Sequence, residues 1–159
     1  MIELIFAIKF VHLLAAAAMF GTWLAVAVFM QLAHRSRNTA VVALTSRFAV
    51  SVELIVMIAA IALQPISGFA LASAIGVSPF DEFWIVLSLV LYGVVVAIWF
   101  VVLCIEIRIR NLTRQAALDA VPLSDAYRRL FRFYSVLVWP ALAGMVVLFL
   151  LMVWQPRPA

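Results

Sequence analysis

The chain reads as an all-α integral membrane protein, a four-helix antiparallel bundle with both termini extracytoplasmic. Three observations predict this. Of its 159 residues, 69% are hydrophobic and only 11% charged, whereas an ordinary soluble domain carries about 25% charged residues. Four stretches exceed the roughly 18 consecutive, mainly apolar residues that mark a membrane-spanning helix. The basic residues, ten arginines and one lysine, stand mostly at the ends of those stretches. Charges so placed orient spans in a bilayer, so the expected partner is lipid and not nucleic acid.

Length and breakers divide the chain into spans at about 2–33, 41–74, 83–109 and 125–154, forming a single domain over 1–159. The first span starts with Met-Ile-Glu instead of a basic n-region, and its apolar run outlasts a signal-peptide core, so it is expected to stay in the mature protein. The second follows the linker HRSRNT. The third follows GVSPFDE, with turn-favouring Gly76 and Pro79. A long polar linker, NLTRQAALDAVPLSD, precedes the fourth, where Ser124 or Asp125 reads as the N-cap. The single Cys104 excludes an intrachain disulfide and any Cys-x-x-Cys motif.

Arg35, Arg37 and Arg47 flank the first linker; Arg108, Arg110, Arg114, Arg128, Arg129 and Arg132 flank the third. The middle linker has only Asp81 and Glu82. The positive-inside rule therefore puts the first and third linkers in the cytoplasm and both termini outside, with Trp84 and Trp154 at the outer interface.

Helix one carries KFVHLLAAAAMFGTW. At 100° per residue His12, Met19, Trp23 and Met30 share a stripe flanked by Ala15 and Ala16, while Ala17, Gly21 and Ala25 lie opposite at the small-xxx-small spacing that lets helices approach closely. The small face is thus expected to pack against a helix, leaving the His12 face for another group or for a neighbour's bulky side chain. Lys9 lies one turn from His12, with Cβ atoms about 5–6 Å apart; alone, it reads as a snorkelling lysine. An ionisable residue within a span costs energy and usually faces the bundle or a cavity, which singles out His12. His34, twenty-two residues away and so ~33 Å along the helix, cannot share its site and is expected among the interfacial arginines.

Opposite His12, helix two offers Gln64 and Ser67, and Pro65 frees a backbone carbonyl. Tyr92 on helix three, with Met145 or Met152 on helix four, reaches similar depth. Glu53 sits in the inner half, as part of a structural ion pair with a rim arginine or of a proton path. Glu106 and Arg110, four apart, read as a surface pair. No soluble-enzyme motif occurs.

KFVHLLAAAAMFGTW, LAHRSRN, LQPISGFAL and LMVWQPRP together resemble the predicted integral-membrane family known as domain of unknown function 2269, over essentially the whole chain. More distantly the chain is similar to HemJ-type haem-containing protoporphyrinogen oxidases and to copper-resistance D membrane proteins, through a first-helix Lys-x-x-His or His motif followed by Gly and Trp. The HemJ-type likeness implies haem b at His12, with Lys9 beside it. The chain departs from that pattern at Gln155-Pro156, where such proteins have Lys-Pro, and around Pro140, which lacks a preceding Asn-Glu-x-Pro. Both departures count against porphyrinogen oxidation and leave haem binding untouched.

Three functions follow as expectations. The first is a b-type haem protein of a bacterial inner (plasma) membrane, with an electron-transfer or small redox role. In it His12 is the axial ligand, Lys9 lies near the propionates, Met19 and Trp23 stand against the ring, and Gln64 or Tyr92 is a distal group. The second is a copper-handling permease or accessory in which His12 joins thioethers of Met19, Met57, Met145 or Met152. The third is a non-catalytic membrane subunit or scaffold, with His12 bonded to Gln64 or Ser67. A redox partner goes with the first reading, and four spans of this size could also form a homodimer.

Overall fold

A computed structural model describes residues 2–156. Helix α1 runs Ile2–Ser36, α2 Thr39–Val52 and α3 Ile58–Ala74, with a π-helical turn Glu53–Met57 joining α2 to α3 in one continuous span. Helices α4, Phe83–Leu118, and α5, Asp125–Trp154, complete the chain. The described residues contain no strand, and four helical segments are long and apolar enough to cross a membrane.

Local chemistry explains the boundaries. Arg37 adopts a left-handed φ of 54° that ends α1. Asn38 then caps α2, its side-chain oxygen accepting from the N–H groups of Ala40 and Val41 at 3.0 and 3.2 Å, so two otherwise orphaned donors are satisfied. Gly76 supplies the left-handed φ of 73° after α3. Ser124 is the cap of α5, accepting from the Tyr127 N–H at 3.3 Å.

Two boundaries differ from the sequence reading. Helix α4 extends nine residues past the expected 109, through NLTRQAAL. Leu, Arg, Gln and Ala are good helix formers, and the polarity that marks where α4 leaves lipid does not mark where it stops coiling. The π turn within the second span had no sequence signal. A π turn inserts one extra residue into the helical ladder and often stands at a functional position.

Packing is uneven along the bundle axis. Helices α4 and α5 make the largest contact, α2 packs on both α4 and α1, and α3 packs chiefly on α1, with little contact to α4. The buried residues of α1 begin only at Ala15. From there toward the arginine-rich end the core closes around Trp23, Ala27, Met30, Val50, Met57, Val102, Ile109, Tyr134 and Val138. Polar ties cross it: Gln31 Nε2 donates to Ser135 Oγ at 2.8 Å, and the hydroxyls of Ser46 and Thr113 bond at 3.0 Å. Where lipid tails solvate helices as well as leucine does, such bonds and close packing hold spans together.

The small-residue stripe of α1 does not do what its spacing predicts. Ala17, Gly21 and Ala25 are exposed, and nothing lies within 4 Å of where a Gly21 Cβ would stand. The packed face is that of Met19, Trp23 and Met30. Interior volume here is filled by the bulkiest side chains, while Gly21 and Ala25 line an open groove of about 540 Å³ shared with Thr45, Phe48, Ala49 and Val52 of α2. His34 stays at the arginine-rich end, close to Arg128, but packs on α5 there: its Nδ1 is 2.8 Å from the Tyr127 hydroxyl and its ring stacks on Phe131 at 3.9 Å.

Candidate functional site

Helices α1 and α3 meet at His12. Its Nδ1 lies 3.0 Å from Ser67 Oγ, and its Nε2 lies 3.4 Å from Gln64 Nε2. Ser67 Oγ is also 2.6 Å from the Leu63 carbonyl, which can only accept. The single hydroxyl proton of Ser67 is therefore committed to Leu63, so Ser67 receives its bond from His12 Nδ1–H. That fixes the neutral tautomer with the Nε2 lone pair directed at the Gln64 amide, where the contact is long for a hydrogen bond. Gly68 completes the seat. A Cβ there would stand 3.3 Å from His12 Cε1, so the ring lies close against the α3 backbone because residue 68 has no side chain.

Pro65 lets α3 present this surface. It has no N–H to offer the Ile61 carbonyl four residues back. The Tyr92 hydroxyl of α4 donates to that carbonyl instead, at 2.7 Å. Tyr92 thus ties α3 to α4, and its hydroxyl is engaged with backbone, away from the imidazole.

The other residues singled out in the sequence are dispersed. Lys9 is exposed. Met19 and Trp23 are 4% and 0% exposed and lie in the core, about 10 and 16 Å along the helix axis from His12 at 1.5 Å per residue. Met57 and Met145 are buried in the same apolar core, while Met152 is exposed. Beside Ser67, between α1 and α3, is an apolar groove of about 270 Å³ lined by Ala7, Ile8, Val11, Leu63, Ile66 and Ala70.

A second polar centre lies deeper. Glu53, at the first residue of the π turn, is wholly buried and accepts from Trp99 Nε1–H at 3.0 Å. The carboxyl of Glu106 lies against it, and the Tyr134 hydroxyl lies next to Glu106. Glu106 is not the surface partner of Arg110 that helical spacing predicts. It is 0% exposed, and Arg110 turns to Asn111. No arginine pairs with Glu53 either: among the described residues the one ion pair is Arg128–Asp125, at 4.0 Å on the surface. Two bare charges 4 Å apart repel by about 4 kcal/mol even at an effective dielectric of 20, so this arrangement demands some compensation. The sequence marks Glu53 as an ionisable residue within a span; the mispairing of Glu106 hid its neighbour.

This fold defines a four-span, all-helical membrane protein with one oriented imidazole and one buried carboxyl pair. A family model described as "Predicted integral membrane protein (DUF2269)" matches residues 6–156, and the chain belongs to that family. Neither a curated protein nor a solved structure matches it.

Proposed function

We propose that the protein is a membrane b-type haem protein with an electron-transfer or small redox role, in which His12 is the axial ligand through Nε2. The observation that carries this reading is the Leu63–Ser67–His12 hydrogen-bond chain. It locks the tautomer that an imidazole ligand needs and makes Nδ1–H a donor to a fixed oxygen, as ligating histidines commonly require. His12 Nε2 would supply one ligand, with the Gln64 amide now 3.4 Å from it and an apolar groove of about 270 Å³ beside Ser67. When bound, a b-type haem would supply a one-electron couple.

The protein's own residues would act as follows. Ser67 holds the ring, the bare backbone at Gly68 seats it, and Gln64 provides the polar group beside Nε2. Tyr92, through Ile61, keeps α3 in register. Lys9, exposed one turn away, would extend its ammonium toward acidic substituents at the membrane surface. In this reading the end of the bundle remote from the arginines faces outward from a bacterial inner membrane.

A second reading rests on the same contacts. Both ring nitrogens have protein partners, so His12 also suits a polar tie between α1 and α3 in a non-catalytic subunit. The visible spectrum of the purified protein, with and without dithionite, separates the two. A Soret band that shifts on reduction, disappears in His12→Ala and persists in His34→Ala is the expected result. A colourless protein with stoichiometric copper points to the copper alternative, and a colourless, metal-free one to the tie.

A further inference from the structure

The seam between α2 and α4 carries two polar rungs. Ser46 and Glu53 are seven residues apart on one helix; Thr113 and Glu106 are seven apart on the other. Running antiparallel, the helices bring Ser46 to Thr113 and Glu53 to Glu106. The hydroxyl rung closes with a 3.0 Å bond. The carboxyl rung, written as two carboxylates, cannot. Only Glu53 Oε2 has a donor, the indole of Trp99, while Glu53 Oε1 and both oxygens of Glu106 have none. Ionised carboxylates only accept, so a bond between them requires a proton on one.

An independent observation points to the same place. The Tyr134 hydroxyl is 0% exposed and without a partner, and it lies beside Glu106. Among the described residues no cation pairs with either glutamate. Helix α1 contributes Trp23, Ala27 and Met30, α4 adds Trp99, Val102 and Ile109, and α5 adds Tyr134 and Val138. Toward the arginine-rich end, Val50 and Ile109, each 0% exposed, separate this rung from the hydroxyl rung.

We propose that Glu53 and Glu106 form a proton-binding site inside the membrane, an acid–carboxylate pair holding one shared proton, with Tyr134 as a further donor to Glu106. The proton comes from hydronium in the aqueous phase: one of its O–H bonds breaks, leaving water, as one carboxyl O–H bond forms, and nothing is oxidised or reduced. The remaining negative charge is held by the Trp99 N–H and the Tyr134 O–H. The π turn starting at Glu53 inserts one extra residue into the seam beside the pair. None of this depends on a haem at His12.

Infrared spectroscopy of the full-length protein in lipid nanodiscs tests it. At neutral pH the wild type is expected to show a carboxylic-acid C=O stretch that moves down in D₂O and moves again when glutamate is ¹³C-labelled at the side-chain carboxyl. The only other glutamates are Glu3, in the first turn of α1, and Glu82, the residue preceding α4. The band is expected to vanish in the double variant Glu53→Gln/Glu106→Gln and to shift, without vanishing, in Tyr134→Phe. Absence of the band, insensitivity to the glutamate label, or its persistence in the double variant overturns the proposal. So does stoichiometric sodium or calcium lost on the double substitution, which would make the compensating charge a metal ion. The isotope experiment uses the wild type, so the question is decided even if a variant fails to fold.

Discussion

Replacing Ser67 by alanine removes one oxygen from the α1–α3 contact and leaves its apolar surroundings in place. His12 Nδ1–H then loses its acceptor at 3.0 Å, and Gln64, already 3.4 Å from the other nitrogen, is too distant to replace it. Interhelical hydrogen bonds in membranes contribute about 0.6 kcal/mol on average and up to about 1.7 kcal/mol. A ring nitrogen left half-buried without a partner puts this case in the upper part of that range, near 1.5 kcal/mol. The expected result is a roughly tenfold rise in the unfolding equilibrium constant, measured by denaturing-detergent titration in mixed micelles. Ser73→Ala, at an exposed serine on the same helix, is the control and is expected to change little. If haem is bound, Ser67→Ala should also weaken its binding about 10- to 100-fold, the usual effect of losing a partner of a metal-ligating histidine. Equal behaviour of the two variants in the unfolding titration would refute the assignment of Nδ1–H as an anchored donor.

Other perturbations isolate single contacts. Gly68→Ala places a Cβ 3.3 Å from His12 Cε1; in a His12→Ala background it should stabilise α3 by about 0.5–1 kcal/mol, the usual helix gain of Ala over Gly, and crowding of the imidazole should reduce or abolish that gain in the wild type, as read by a double-mutant cycle. Tyr92→Phe removes the donor to the Ile61 carbonyl that Pro65 cannot serve. It should cost about 1 kcal/mol, and the deficit should shrink in Pro65→Ala, where the backbone N–H returns. Asn38→Ala deletes the cap of α2 and should lower stability by about 1 kcal/mol, with no effect on any spectrum arising at His12.

Part of the site is legible in one dimension. His12, Gln64 and Ser67 are polar groups in apolar surroundings, and helix length puts them at one depth. Pro65 announces an unserved carbonyl at Ile61, though not that Tyr92 serves it. The buried carboxyl pair was half legible: Glu53 stood out, but Glu106 was obscured by Arg110 at helical spacing, since an i,i+4 pair looks the same whether it faces water or a second carboxylate.

The sequence by itself determined the class, four spans, a cap at Ser124 or Asp125 before the fourth, and the gathering of arginines at one end, because each follows from local composition and the 1.5 Å helical rise. Only the tertiary structure decided which face of α1 turns inward, where α3 parts from α4, and that residues 55 apart form the His12–Ser67 contact. The physical reason is the solvent. Lipid makes the outside of each helix as apolar as its inside, so periodicity reveals stripes without revealing their direction; interhelical packing and a few polar bonds set it instead.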